Sequence, residues 1–144
     1  MNFVNEFDLF VQLYRSLDKA MLSLEEVIQD KWKISFREYR ILKMLEQEGS
    51  INMKRLAKEL GLYPSMATNL VDDLEKKKLA QRQFSTSDRR SVNIKILAGG
   101  KKMLQSVETY CTAHLRDEGK LNLKHFENVI ERIAGFQVQV EKGG

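Results

Sequence analysis

Three short polar side chains follow the chain's single proline at a spacing that suits contact with a nucleic acid. Ser65, Thr68 and Asn69 come soon after Pro64, and in a helix that begins there they lie close together, because residues three and four apart are neighbours on a helix surface. Hydroxyl and amide groups can bond base edges in a major groove, and the positive end of a helix favours phosphate nearby. The alternative for Ser65 is a local capping role in the first turn.

Basic residues are concentrated in one part of the chain. Residues 76–102 contain nine bases and one acid, whereas residues 1–30 contain six acids and two bases. A block of one sign favours a partner of the opposite sign, here a polyanion such as DNA. The residues from which we expect phosphate contacts are Lys54, Lys76, Lys77 and Arg82. The alternative is a solvated lysine-rich face without a partner.

The sequence has no catalytic or metal-binding array of recognisable spacing, and it contains only two histidines and one cysteine. Cys111 and His114 are three residues apart and share a helical face, but two ligands do not make a metal site. Because both are in register with Leu104 and Val107, we expect core packing rather than metal binding or redox sensing. The sequence therefore predicts no enzyme, no metal site and no cofactor.

The number of cysteines and the hydropathy of the chain indicate the cellular compartment in which the protein works. A single cysteine cannot form an internal disulfide, which suits a reducing environment. No stretch approaches the ~18 apolar residues that a membrane span needs, and residues 1–20 lack the order of a signal peptide. We therefore expect a cytoplasmic protein with no membrane partner.

Helical periodicity dominates the elements that must position the polar side chains. An apolar heptad stripe predicts a long first helix that needs a partner helix; its members are Phe3, Phe7, Phe10, Tyr14, Leu17, Met21, Leu24 and Ile28. Ser35 and Glu38 have the spacing of a capping box, which predicts a second helix from about Phe36 to near Gly49.

Residues 53–79 have the pattern of two helices joined by a tight turn. Gly61 ends the first helix and Pro64 fits the first turn of the next, so the motif is a helix-turn-helix. After Leu79 the apolar period changes to two, and residues 80–84 and 92–96 can pair as an antiparallel hairpin. A hairpin at this place is a wing.

Two glycines precede the last predicted elements. We expect Gly99 and Gly100 to break the chain before two final helices. The apolar positions of these helices are Leu104, Val107, Cys111 and Leu115 in one and Phe126, Val129, Ile130, Ile133 and Val140 in the other. A length of 144 residues with 42% hydrophobic content fits one domain.

The order of these elements and several local motifs resemble the MarR family of bacterial regulators. The matching stretches are RLAKELG at residues 55–61, NLVDDLEKKKL at residues 69–79, Arg82, and the triplet Asp88, Arg89 and Arg90 ahead of the second wing strand. Each motif is weak alone, but their order and spacing are specific together, and the resemblance covers nearly the whole chain.

The resemblance implies a fold and a mode of action. The fold class is mainly α with a small antiparallel β-hairpin wing, as one MarR-type domain over residues 1–144. In it a winged helix-turn-helix (35–98) is flanked by dimerisation helices (1–33 and 99–144). The function implied is a homodimer that binds a pseudo-palindromic operator in double-stranded DNA and regulates transcription, in most members as a repressor. Many members are released from DNA by small, often aromatic, ligands or by oxidants.

The resemblance also assigns roles in the wing. Arg89 and Arg90 belong to the wing tip that reaches the flanking minor groove, and a delocalised cation suits the narrow groove of A·T-rich DNA. Asp88 is expected to brace an arginine and fix the turn. The alternative for Asp88 is an exposed ion pair with no role in binding.

Several residues depart from the family pattern. Tyr63 stands where a Ser or Asp often caps the second helix of the motif. Asn69 and Asp73 stand where basic residues are common, and Asp73 repels phosphate if it faces DNA. Lys78 replaces a glycine at a position that tends to need positive φ, at a cost of ~1 kcal/mol. The first helix lacks the cysteine on which the peroxide-sensing members rely.

Two further expectations concern partners. A cavity bordered by Tyr14, Met21, Phe36 and Tyr39 is expected to bind an aromatic or amphipathic effector. The alternative to the DNA-binding hypothesis is a winged-helix interaction module, whose heptad face binds a protein and whose hairpin never contacts DNA. The nine bases in residues 76–102 argue against that alternative.

Overall fold

The computed structural model of the chain describes residues 4–84, 87, 91–117 and 122–140. Its elements are α1 (Glu6–Trp32), α2 (Phe36–Glu48), β1 (Ser50–Asn52), α3 (Met53–Leu60), α4 (Pro64–Lys76), β2 (Ala80–Phe84), β3 (Val92–Ile96), α5 (Ala98–Asp117) and α6 (Leu123–Ile133). The chain divides into two compact units, Met1–Thr109 and Tyr110–Gly144. The predicted fold class, mainly α with a small antiparallel sheet, is confirmed, whereas the single domain stays a prediction.

The start of α2 is fixed by the predicted capping box. Ser35 Oγ accepts a hydrogen bond from the Glu38 N–H at 3.1 Å, and Glu38 Oε1 accepts one from the Ser35 N–H at 3.0 Å. These two bonds satisfy donors that a helix end leaves unpaired. Ile34, just before the cap, is fully buried, so the entry of α2 is anchored to the core.

Helices α3 and α4 end in the same hydrogen-bonded motif. At the end of α3, Gly61 has φ 64° and the Leu62 N–H bonds Ala57 O at 2.9 Å. At the end of α4, Lys78 has φ 60° and the Leu79 N–H bonds Leu74 O at 2.9 Å. Both ends are Schellman caps, whose left-handed position favours glycine. The positive φ predicted at Lys78 is confirmed.

The sheet has three strands in the order β1-β3-β2, both pairs antiparallel. The predicted hairpin is confirmed, with Ala80 opposite Ile96 and Phe84 opposite Val92. Strand β1, which the sequence did not predict, places Ile51 opposite Ile94. A three-residue strand with one apolar residue has too little pattern to reveal its period.

One hydrophobic core unites α2, α3, α4, the sheet and the first part of α5. Its fully buried side chains are Ile34, Ile41, Leu42, Leu45, Ile51, Leu56, Val71, Leu74, Ile94, Leu104 and Val107. At its edge, Glu108 accepts a hydrogen bond from the Tyr39 hydroxyl at 3.2 Å and pairs with Lys43 at 2.8 Å. These polar contacts join α2 to α5.

The prediction that Gly99 and Gly100 break the chain is wrong. Both residues lie in the first turn of α5. A Cβ on Gly100 would lie 2.3 Å from Leu79 O, and one on Gly99 would lie 2.9 Å from Lys78 O. The glycines therefore permit close contact between α5 and the end of the helix-turn-helix, which is the other common reason for glycine inside an element.

The unit Tyr110–Gly144 contains the end of α5 and all of α6. Asn122 caps α6, since its side chain accepts a hydrogen bond from the Lys124 N–H at 3.1 Å. The helix ends at Ile133, and Gly135 follows with φ 83°. The assignment of Val140 to this last helix is therefore wrong. Within the described ranges, no helix is long and apolar enough to cross a membrane.

Candidate nucleic-acid interface

Helix α4 presents one buried side and one polar side. Ala67, Val71 and Leu74 are fully buried in the core, whereas Ser65, Thr68 and Asn69 are exposed. This is the outward position predicted for the three polar residues. Their assignment to base contacts stays a prediction.

The N-terminus of α4 has an open cap. Tyr63 provides no side-chain cap and Pro64 occupies the first turn, while the Met66 and Ala67 N–H groups bond Tyr63 O at 3.0 and 3.1 Å. Ser65 Oγ bonds to no residue in the described part of the chain, so the local capping alternative finds no support there. The hydroxyl and the positive helix end are both open to an external partner.

Arg82 lies against α4 instead of pointing away from it. Its guanidinium pairs with Asp72 at 2.7 Å and with Glu75, and lies 3.4 Å from Thr68 O. Partial burial disfavours the charged form, but the hydrogen bonds that the guanidinium donates to Asp72 and Glu75 outweigh that cost and raise the pKa of Arg82. The arginine therefore joins the wing strand β2 to α4 and neutralises two of its acids.

Lys77 is engaged inside the subunit as well. Its Nζ lies 2.9 Å from the Glu38 carboxylate and donates to Lys33 O at 2.7 Å. Glu38 is only 5% exposed, so this lysine provides the counter-charge for a buried carboxylate. Lys77 thereby joins the end of α4 to the end of α1 and the start of α2.

Two of the predicted phosphate-binding lysines, Lys54 and Lys76, are exposed and form no ion pair with any described residue. A third lysine, Lys58, was missed by the sequence reasoning. Lys54 and Lys58 line a groove of about 330 Å³ between α3 and α4, together with Thr68. Their spacing of four residues on one helix is the signal that could have found Lys58.

Both strands of the wing are described, but most of the loop between them is not. Asp88, Arg89 and Arg90 lie outside the described residues, so their roles stay predictions. Just before β3, at the loop end of the wing, Ser91 Oγ accepts a hydrogen bond from the Asn52 side-chain amide at 3.2 Å, while Asn52 Oδ1 accepts from the Lys54 N–H at 2.9 Å. One residue therefore caps α3 and holds the start of β3.

The residues expected around an effector cavity are only partly brought together. The rings of Phe36 and Tyr39 stack with centroids 5.6 Å apart, but Tyr14 is 67% exposed. A groove of about 530 Å³ between α1 and the start of α2 is lined by Leu22, Glu25, Glu26, Gln29, Asp30, Lys33, Ser35 and Phe36. Of the four predicted residues, that groove includes Phe36 alone.

Cys111 and His114 do not form a buried pair. Cys111 is half-buried and burial raises the pKa of its thiol, while His114 is exposed. The His114 ring lies 4.5 Å from the Tyr110 ring. The expected core packing is therefore wrong for His114. The described residues contain no group of three or more side chains that could hold a metal ion.

Comparison with known proteins matches this geometry. The MarR family model matches residues 34–92, which span the capping box of α2 through the start of β3. Two HTH-type transcriptional regulators of Bacillus subtilis, YwaE and YhbI, are 27% and 29% identical over 66% and 67% of this chain. Over residues 34–92 the chain is similar to the MarR family. Its match spans 56% of YwaE and 64% of YhbI.

Solved structures of the same fold cover most of the chain. The transcriptional regulator BldR from Sulfolobus solfataricus superposes with a TM-score of 0.73 at 22% identity, over 91% of this chain and 98% of its own. A mutant MarR from E. coli complexed with operator DNA superposes with a TM-score of 0.65 at 18% identity, over 90% and 98%. YwaE, YhbI and BldR are each named as transcriptional regulators, while the expectation that this chain is not an enzyme stays a prediction.

The structure shows how the residues that depart from the MarR pattern are accommodated. Asp72 does not face outward unpaired, because Arg82 binds it. Asp73 is exposed, so it remains the acidic residue of α4 that could repel phosphate. Tyr63 leaves the start of α4 uncapped by a side chain.

Proposed function

We propose that this chain is a sequence-specific regulator of transcription that binds double-stranded DNA through α4. The observation that supports it best is the exposed polar side of α4, where Ser65, Thr68 and Asn69 lie beside an uncapped, positive helix end. A second helix of a helix-turn-helix docks its N-terminal residues on base edges in the major groove. The E. coli MarR mutant with this fold is complexed with operator DNA.

The described contacts divide the proposed DNA-facing residues by role. Ser65, Thr68 and Asn69 contact base edges, where hydroxyl and amide groups discriminate between bases. Lys54, Lys58 and Lys76 contact phosphates. Lys77 and Arg82, whose charges are already neutralised inside the subunit, position α4 and the wing. Asp88, Arg89 and Arg90 keep the wing roles that the family resemblance implies.

The proposed active form is a homodimer in which α1 contributes to the interface. Four apolar residues of α1 are between 44% and 72% exposed, namely Phe7, Phe10, Tyr14 and Leu17. They follow the heptad spacing that pairs helices. We further propose that the dimer acts as a repressor; MdtR of Bacillus subtilis, named a transcriptional repressor, is 26% identical over 66% of this chain.

Selection of duplexes from a random DNA pool tests this function. The parent protein should enrich a palindrome whose half-sites are about 10 bp apart, because a two-fold dimer reads one half-site per subunit. Binding should weaken steeply with salt, since the lysines release counterions. If no duplex is enriched and none binds at low salt, the interaction-module alternative is favoured.

We also propose that the groove between α1 and α2 binds the effector. Phe36 and Leu22 supply apolar surface around about 530 Å³, and three acids, Glu25, Glu26 and Asp30, outnumber the single base, Lys33. This lining favours a cationic amphipathic molecule over an anionic phenolic acid. A panel of quaternary-ammonium dyes and phenolic acids should separate the two: only the cations should weaken DNA binding, and equal potency of the acids would exclude this lining.

A further inference from the structure

Arg37 extends from the first turn of α2 to α4. It is exposed, and its Nη1 lies 3.1 Å from Met66 Sδ. Met66 is three residues from Asn69, so these two side chains are neighbours on the surface of α4. The Arg37 guanidinium is therefore held against the flank of the helix that we propose to enter the major groove.

The partners of Arg37 differ from those of two other arginines near the helix-turn-helix. Arg55 pairs with Glu48 and Glu59, and Arg82 pairs with Asp72 and Glu75. Within the described residues, Arg37 forms no ion pair; its hydrogen-bond partner is a thioether, which is a weak acceptor. Nearly all of the bonding capacity of this guanidinium is available to an anion.

The two flanks of α4 therefore have different charges. On the wing side, Arg82 is neutralised by acids. On the α2 side, Arg37 is not. The exposed acid on that side, Asp73, lies seven residues beyond Met66, which is about 10 Å along a helix.

A helix in a major groove about 12 Å wide has a phosphate backbone on each side. We propose that Arg37 is a phosphate-binding residue, which contacts the DNA backbone on the side of α4 opposite the wing. The proposal rests on the DNA-binding function proposed above. Met66 provides the surface that holds the guanidinium before DNA arrives, so less ordering is needed on binding.

The test measures DNA binding by Arg37→Ala, Arg37→Lys and the matched control Arg40→Ala, an exposed arginine one turn further along α2. The probes are a duplex enriched from a random pool by the parent protein and an unrelated duplex of equal length. Arg37→Ala should weaken both complexes about tenfold at ~0.1 M salt. It should lower the salt slope by about 0.9 for each bound subunit, while Arg37→Lys keeps most of the slope and Arg40→Ala matches the parent.

Ethylation interference on the parent complex gives a second readout, which does not depend on how the variants fold. Ethylating one phosphate beyond the α2 side of each half-site should block binding by the parent protein and have no further effect on Arg37→Ala. Parent-like affinity and slope in Arg37→Ala, or a changed base preference with an unchanged slope, would overturn the proposal. Absence of any DNA binding by the parent would instead show that the proposed function itself is wrong.

Discussion

The winged helix-turn-helix and the first helix bury their apolar residues to very different extents. Between Ile34 and Ile96, the large apolar side chains of α2, α3, α4 and the sheet are mostly buried within the subunit, as Ile41, Leu56 and Ile94 illustrate at 0% exposure. Along α1, Ile28 alone is buried, while Phe7 is 72% exposed. The first region buries its large apolar side chains among the described residues, whereas α1 has a largely exposed apolar face at Phe7, Tyr14 and Leu17.

This difference indicates two separable energetic roles. Burial of apolar surface is the main term that favours folding, at roughly 25 cal/mol per Å², and the winged region obtains it locally. Helix α1 buries Ile28 but leaves much of the apolar surface of Phe7, Tyr14 and Leu17 exposed, and that surface gains this term only against another surface. Variants in the two regions should therefore change different measurements, assembly in one case and unfolding of the subunit in the other.

The largest expected effect is on assembly. Phe10→Asp combined with Leu17→Asp places two charges on the exposed apolar face of α1, and a buried unpaired carboxylate is too costly for a helix interface to tolerate. Light scattering should show monomers or insoluble protein. The matched control is Gln12→Asp with Ser16→Asp, which adds the same charge at exposed polar positions. An unchanged dimer in the first variant would show that this face is not the interface.

The next effect is on the stability of the winged region. Lys77→Met removes the counter-charge of Glu38, whose side chain is 6% exposed, although the lysine itself is 36% exposed. We expect a loss of about 2 kcal/mol in urea unfolding, below the ~3–5 kcal/mol of a fully buried pair. Lys76→Met, at the exposed neighbouring lysine, should unfold like the parent. Assembly should not change in either variant, and an unaltered midpoint for Lys77→Met would contradict the role given to the pair.

A third variant is expected to stabilise the winged region slightly. Lys78 has φ 60° at the end of α4, where Gly61 occupies the equivalent position of α3 with φ 64°. Lys78→Gly should raise the free energy of unfolding by about 1 kcal/mol, because glycine has no Cβ to strain. Lys78→Ala removes the same charge but keeps the strain, so it should show no gain. An equal gain in the free energy of unfolding for both variants would show that the effect comes from the lost charge.

Much of the winged region could be predicted because its signals are local. The capping box of Ser35 and Glu38, the helix end at Gly61 and the period change after Leu79 each act within a few residues, and all three were found in the structure. Such signals depend on backbone geometry and nearest neighbours. Sequence alone therefore located the helix-turn-helix and the strands of the wing.

The misses concern contacts between residues distant in sequence. The ion pairs of Arg82 with Asp72 and of Lys77 with Glu38 were not predicted, because the relative positions of these residues depend on tertiary packing; the assignment of both to phosphates stays a prediction. Gly100 was taken as a break because the nearby Leu79 carbonyl is invisible to a local pattern. Arg37 was overlooked because it precedes the helix-turn-helix, and only the folded chain shows that it reaches Met66.

The hydrogen bond from Lys77 Nζ to Lys33 O, at 2.7 Å, bears on the spacing of the two α4 helices in the proposed dimer. It fixes the end of α4 against the end of the helix that we propose to meet its symmetry mate. In such a dimer, the position of α1 relative to the two-fold axis sets the distance between the two α4 helices. On DNA whose successive major grooves are spaced differently from the two α4 helices, both helices can dock only if the ends of the α1 helices shift. Such a shift would lengthen the bond from Lys77 Nζ to Lys33 O.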